Sequence, residues 1–187
     1  VLQLLEENGI STEERIIAVS PGAKSHTKRW PKERFAQLIQ RLRDRFKARI
    51  VLVGDKNDSS ISKHIISLDS SAVDLTGKTN LIQLSCLLKR ASLVVTNDSA
   101  VLHIASYLDI PLVAVFGPTS DIKYGPWSDK SAVAKNEVFC RPCEKAQCKF
   151  KTLECLSAIK VEDVLRQIRA AYGLLSIDYR QKYDFKR

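Results

Sequence analysis

Leu93-Val94-Val95-Thr96-Asn97-Asp98-Ser99-Ala100-Val101-Leu102-His103-Ile104-Ala105 is the stretch from which the fold is read. Leu93–Thr96 is a continuous apolar, β-branched run, the mark of a strand buried on both faces. It runs almost directly into a helix expected over Ser99–Leu108, with Asn97 or Asp98 as its N-cap. A buried strand turning straight into a helix is half of a βα unit, and such units build parallel sheets covered on both faces.

The same signature recurs on either side. Arg15–Val19 (RIIAV), Ala48–Val53 (ARIVLV), Val73–Leu75 and Leu112–Phe116 (LVAVF) predict further strands, closed by Ser20-Pro21-Gly22, Gly54 and Gly117-Pro118. Between them, Pro31 suits the first turn of a helix whose apolar positions are Phe35, Leu38, Ile39, Leu42 and Phe46. Further helices are expected at Val1–Asn8, around Ser60–Ser67, and over Leu81–Lys89 with Leu81, Leu84, Leu87 and Leu88 inward. The stretch from Gly117 to about Leu156 reads as loop-rich, Val161–Leu174 as the last helix, and 175–187 as a polar, aromatic tail that packs across something else. The alternation predicts a single α/β domain, a Rossmann-like doubly wound parallel sheet. Ligands of such sheets bind at the carboxyl ends of the strands, so the loops after Val19, Val53, Leu75, Thr96 and Phe116 carry the function.

Composition narrows the classes. The chain has 187 residues, 44% hydrophobic, enough for one core and too apolar for global disorder. No run approaches the roughly 18 apolar residues of a membrane span. The chain begins at Val1 and contains no Met, so a fragment or processed product is expected, with 1–14 as an interdomain segment. Lys and Arg number 30 against 21 acids, a formal charge of +9. That charge suits nucleic acid, an anionic membrane surface or a phosphorylated small molecule. No RNP-like, zinc-finger or helix-turn-helix pattern accompanies it, so nucleic acid is not expected as a partner.

Three strand-end loops carry chemistry. Ser20–Pro31 is small at its start, where backbone can approach a ligand, and cationic at its end through Lys24, Lys28 and Arg29. It lacks the Walker A spacing. Asn97–His103 opens a helix whose first amides have no internal partner and carry partial positive charge, an anion site in waiting. Ser99 and Ala100 leave the approach open, and His103 lies one turn in. Phe116–Ser120 closes the next strand. Each alone also reads as ordinary structure: a polar loop, a capped helix with a core histidine, a turn.

Taken in order, PGAKSHTKRWP, DLTGKTNLIQLSCLLKRASLVVTNDSAVLHIA and LVAVFGPT resemble the C-terminal domain of glycosyltransferase family 9, which includes the ADP-heptose:lipopolysaccharide heptosyltransferases. The likeness covers roughly residues 15–168. It implies the C-terminal half of a glycosyltransferase-B fold and inverting transfer of heptose from ADP-heptose to the lipopolysaccharide inner core. Other members use other nucleotide sugars, and a non-catalytic nucleotide-binding module is the remaining alternative. Lys28 matches the family lysine that contacts donor phosphates. Asp98, Ser99, Ala100 and His103 match its Asp-Thr/Ser-Gly/Ala-x-x-His motif. The resemblance thus implies diphosphate on the amides of Ser99, Ala100 and Val101, sugar hydroxyls on Asp98, and the nucleoside near Lys56, Asn57 and Asp58. Lys24 and Thr79 complete the candidate donor-binding set, although Ala23 and Lys24 stand where some members carry a Thr pair. The family's general base is an Asp of an N-terminal acceptor domain, read here as absent, so the chain alone is expected to bind donor and turn over little or nothing. A cytoplasmic location, peripheral to the inner membrane, goes with that chemistry.

Cys140, Cys143, Cys148 and Cys155 form C-x2-C-x4-C-x6-C within 139–156. Such a set holds a structural zinc or iron–sulfur cluster, forms disulfides, or stays as free thiols clamping a long loop. Many family members carry a similar stretch, and the family's transfer needs no cofactor there. Cys86 reads as a core thiol.

Overall fold

The computed structural model describes residues 1–175, with side chains through Ala171. Six strands form one parallel sheet: β1 (Ile16–Ser20), β2 (Arg49–Leu52), β3 (Val73–Asp74), β4 (Ala91–Asn97), β5 (Leu112–Phe116) and β6 (Ser131–Lys135), in the order β3-β2-β1-β4-β5-β6. Every pairing is parallel, and the register sets Ser20 beside Thr96 and Thr96 beside Ala114. The sheet is parallel and doubly wound, as the strand–helix alternation predicts.

Both faces are covered, which is why the strands read as unbroken apolar runs. Along β1, Ile17 and Val19 enter one core with Phe35, Leu38, Ile39 and Leu42 of α2 (Lys32–Phe46), Ile65 of α3 (Ser59–Leu68), and Val164 and Ile168 of α8 (Val161–Leu175). Ile16 and Ala18 enter the other, with Leu87 and Leu88 of α4 (Leu81–Arg90) and Leu102 and Ala105 of α5 (Ala100–Tyr107). The opening segment joins this second core: α1 (Leu2–Glu7) contributes Leu5, and Ile10 follows it in.

Several expectations are corrected. The loop-rich stretch after β5 also carries β6 and two short helices that the sequence does not announce, α6 (Asp121–Tyr124) and α7 (Glu154–Ser157). β6 is an edge strand of small residues, SAVAK, buried fully only at Ala134, so it lacks the apolar run that marks an inner strand. On α4, Leu81 is 66% exposed at the helix start rather than inward. Cys86 is exposed, not a core thiol, because it lies off the buried Leu87–Leu88 stripe. The tail after Leu175 lies outside the described residues.

Strand order decides where a site forms. From β1 the chain crosses outward to β2 and β3, then returns to β4 on the other side. The loops leaving β1 and β4 therefore part above neighbouring strands and open a crevice at the switch point.

Candidate functional site

Asn97, the last residue of β4 and fully buried, organises the crevice. Its Nδ2 donates to the carbonyls of Pro21 (2.8 Å) and Gly22 (3.4 Å), and its Oδ1 accepts from the Trp30 amide at 3.1 Å. One side chain thus fastens both ends of the loop after β1. Trp30 is buried edge-to-face on Phe35, its indole N–H donating to the Ile159 carbonyl at 3.0 Å. A 3-10 turn over His26–Lys28, with Thr27 buried, then carries Lys28 across the gap. The Lys28 ammonium meets Asp98 Oδ2 at 2.8 Å. The same carboxylate oxygen accepts from the Thr119 hydroxyl at 2.6 Å.

The cap expected at Asn97 or Asp98 is instead Ser99, with extended backbone. Asn97 is committed to the loop after β1 and Asp98 to Lys28 and Thr119, so neither is free to cap. The Ser99 hydroxyl pairs with that of Thr96 at 3.0 Å, and no side chain caps the helix. The first amides of α5 are left for a ligand or solvent. One turn on, His103 stacks at 5.5 Å on Trp127, and its buried Nδ1 has no hydrogen-bond partner. An orphaned buried ring nitrogen costs stability unless something else uses it.

Lys28, Asp98, Ser99 and the start of α5, with Ala100 exposed and Val101 buried, thus come together, and His103 follows a turn behind. Asp58 stands elsewhere. It lies against Gly22, where any Cβ would fall 2.0 Å from its carboxyl carbon, and a Cβ on Gly54 would fall 2.8 Å from its Oδ2. Its Oδ2 accepts from the Asp55 amide at 3.2 Å, and Arg29 lies 4.0 Å from its Oδ1. Burial, then the charge of Asp55, pushes its carboxyl above the ordinary carboxylate range. Thr79 follows β3 on a loop tied to Gly54 through the Gly77 amide, two strands from β1. Lys24 is exposed. The residues that organise the cluster and were not read from sequence are Asn97 as a clamp, Thr119 and Trp127.

A family model of glycosyltransferase family 9 (heptosyltransferase) matches residues 3–154. The chain belongs to glycosyltransferase family 9. Lipooligosaccharide heptosyltransferase 2 of Haemophilus influenzae is 35% identical over 136 residues, covering 70% of this chain and 39% of that protein. Lipopolysaccharide heptosyltransferase 2 of Escherichia coli K12 is 33% identical over 132 residues, 67% of this chain and 38% of that one. The structure of E. coli ADP-heptose lps heptosyltransferase II matches with a TM-score of 0.77 at 27% identity, covering 92% of this chain and 50% of that one. The chain thus spans about four-tenths to half the length of these family 9 relatives.

The cysteines of this family 9 chain gather against the loops after β1 and β5, beside Thr27 and Pro118. Cys140, Cys143, Cys148 and Cys155 line one cavity of about 220 Å³ with Thr27, Pro118, Phe139 and Phe150. No disulfide joins any two of them. Burial, then the neighbouring Cys143, Cys140 and Cys148, pushes the Cys155 thiol up. Backbone amides, that of Leu153 foremost, hold the Cys148 thiol down. Among the described residues no three His, Cys, Asp or Glu side chains are placed to hold a metal ion. The loop is fastened to the crevice by the Thr27 hydroxyl on the Lys145 carbonyl (3.2 Å) and the Glu144 amide on the Pro118 carbonyl (2.9 Å).

Proposed function

We propose that this chain is the donor-binding part of an inverting heptosyltransferase, taking heptose from ADP-heptose for transfer to the lipopolysaccharide inner core. One observation carries the reading: Lys28 and the uncapped start of α5 share the crevice at the sheet's switch point. A sugar diphosphate needs that pairing. When the anomeric bond breaks, negative charge grows on the departing diphosphate oxygen. A fixed ammonium and fixed amide dipoles stabilise it without reorganising. In this reading the amides of Ser99, Ala100 and Val101 hold the diphosphate, Lys28 neutralises it, and Asp98 accepts from sugar hydroxyls. His103, one turn in, supports the same end of the site.

An attacking hydroxyl needs a base. Asp98 is engaged by Lys28 and Thr119, and Asp58 is buried against Gly22. Following the family resemblance, which puts the base and the acceptor site in an N-terminal domain, we expect this chain to bind donor with little or no turnover. The donor chemistry draws on no cofactor. A structural zinc at Cys140, Cys143, Cys148 and Cys155 is read by metal analysis of the reduced chain: one zinc per chain assigns the thiols to a metal site, and none leaves them as packing. No helix among the described residues is long and apolar enough to cross a membrane. We place the protein in the cytoplasm, drawn to the inner-membrane surface by its charge of +9.

Calorimetric titration with ADP, ADP-heptose, UDP-sugars and GDP-sugars tests the reading. ADP-heptose binding more tightly than the other nucleotide sugars supports it. Preference for a UDP- or GDP-sugar assigns another nucleotide-sugar donor, and no nucleotide binding removes it.

A further inference from the structure

The Asp98 carboxylate is held unequally. Lys28 Nζ (2.8 Å) and Thr119 Oγ1 (2.6 Å) both reach Oδ2, and none of the described residues donates to Oδ1. Two donors on one oxygen fix the rotation of the carboxylate and leave the other oxygen able to accept from a single hydroxyl. Charge-assisted bonds of this kind are the strong ones. Asp98 and Thr119 are each 5% exposed, so the pair is shielded from competing water.

Thr119 sits in the turn between β5 and α6, with no ladder to hold it. Arg141 does so instead. Its side chain is 4% exposed. Nε donates to the Gly117 carbonyl at 2.7 Å, and Nη2 to the Thr119 carbonyl at 3.2 Å and Asp121 Oδ1 at 2.7 Å. Asp121 is pinned in turn by Lys135 of β6 at 2.9 Å. A planar guanidinium can span these acceptors at once, which a lysine cannot. Leu156 closes the turn from behind, 2.6 Å from where a Cβ on Gly117 would fall.

We propose that Thr119 is a positioning residue that aims the free oxygen of Asp98 at a sugar hydroxyl of the nucleotide sugar, and that Arg141 braces Thr119 from the cysteine-rich loop. This rests on the donor-binding reading above. It assigns Thr119 to recognition of the sugar rather than of the nucleotide.

The test is calorimetric titration of the full chain with ADP and with ADP-heptose, for wild type, Thr119→Val, Thr119→Ser, Arg141→Lys and Lys28→Met, with thermal melting recorded for each. Thr119→Val should weaken ADP-heptose binding about tenfold or more and leave ADP within about twofold, since a bond to a charged group is lost at the sugar end only. Thr119→Ser should restore the sugar affinity, and Arg141→Lys should reproduce the sugar-selective loss in part. Unchanged ADP-heptose affinity in Thr119→Val, or equal loss of both ligands, overturns the inference. Lys28→Met should weaken both ligands. If it weakens neither, or if wild type binds neither, the donor-site reading itself fails. If Arg141→Lys melts below the assay temperature, the near-isosteric Val and Ser variants at Thr119 still decide the outcome.

Discussion

The Lys28 ammonium and the Asp98 carboxylate meet at 2.8 Å across the gap between β1 and β4. Lys28 is about one-third exposed and Asp98 almost fully buried, so the lysine is the more accessible partner of the pair. An arriving diphosphate can take Lys28 as its counter-ion without entering the core. The buried Thr119 bond remains to hold the carboxylate when it does.

Replacing Lys28 by Met should lower ADP affinity by about 10- to 100-fold, the usual worth of a bond to a charged group. Titration at rising salt checks the cause. The wild-type chain should lose affinity with salt more steeply than the variant, because screening acts on the charge that was removed.

Asn97→Ala should destabilise the fold by about 3 kcal/mol. It orphans the Trp30 amide and the Pro21 carbonyl, each buried and each costing about 1–3 kcal/mol unpaired. Thermal unfolding measures it. A shift no larger than that of an exposed substitution such as Lys24→Ala contradicts the clamp.

Gly22→Ala drives a methyl group onto the Asp58 carboxyl carbon, 2.0 Å away. Overpacking of this kind costs about 1–3 kcal/mol. Shortening the neighbour in the double variant Gly22→Ala/Asp58→Ser should recover part of the loss, again read from thermal unfolding.

The raised carboxyl of Asp58 sets a sign for pH dependence. The folded state holds that proton more tightly than the unfolded chain, so ionised Asp58 costs stability at neutral pH. Stability from this group grows as pH falls through the raised folded value toward the ordinary one near 3.8. Asp58→Asn keeps an acceptor for the Asp55 amide and removes the titration. It should be more stable than wild type at neutral pH, and the difference should shrink on acidification. A difference that grows on acidification refutes the assignment.

In the reduced, metal-free chain, Cys148 should be alkylated before Cys155. Backbone amides favour the Cys148 thiolate, while burial disfavours that of Cys155. Peptide mass analysis over an iodoacetamide time course shows the order.

The doubly wound sheet was legible because burial on both faces writes apolar runs such as RIIAV and LVAVF directly into the chain. β6 was not, because an edge strand of small residues carries no such run. Lys28 and the Asp98–His103 segment were legible as strand-end loops facing one edge. Local rules see only sequence neighbours and so offer Asn97 or Asp98 as the helix cap. The acceptors of the Asn97 side chain, Pro21 and Gly22, lie on the loop after another strand, and only strand order brings them near. Thr119 and Arg141 were hidden for the same reason. Cys86 was misplaced because a cysteine inside a leucine-rich helix does not reveal which side of the apolar stripe it occupies.

A crystal structure of the chain with ADP tests the donor site most directly. Diphosphate oxygens should lie within hydrogen-bond distance of Lys28 Nζ and of the amides of Ala100 and Val101. A diphosphate bound elsewhere, with Lys28 still on Asp98 and the start of α5 empty, would contradict it.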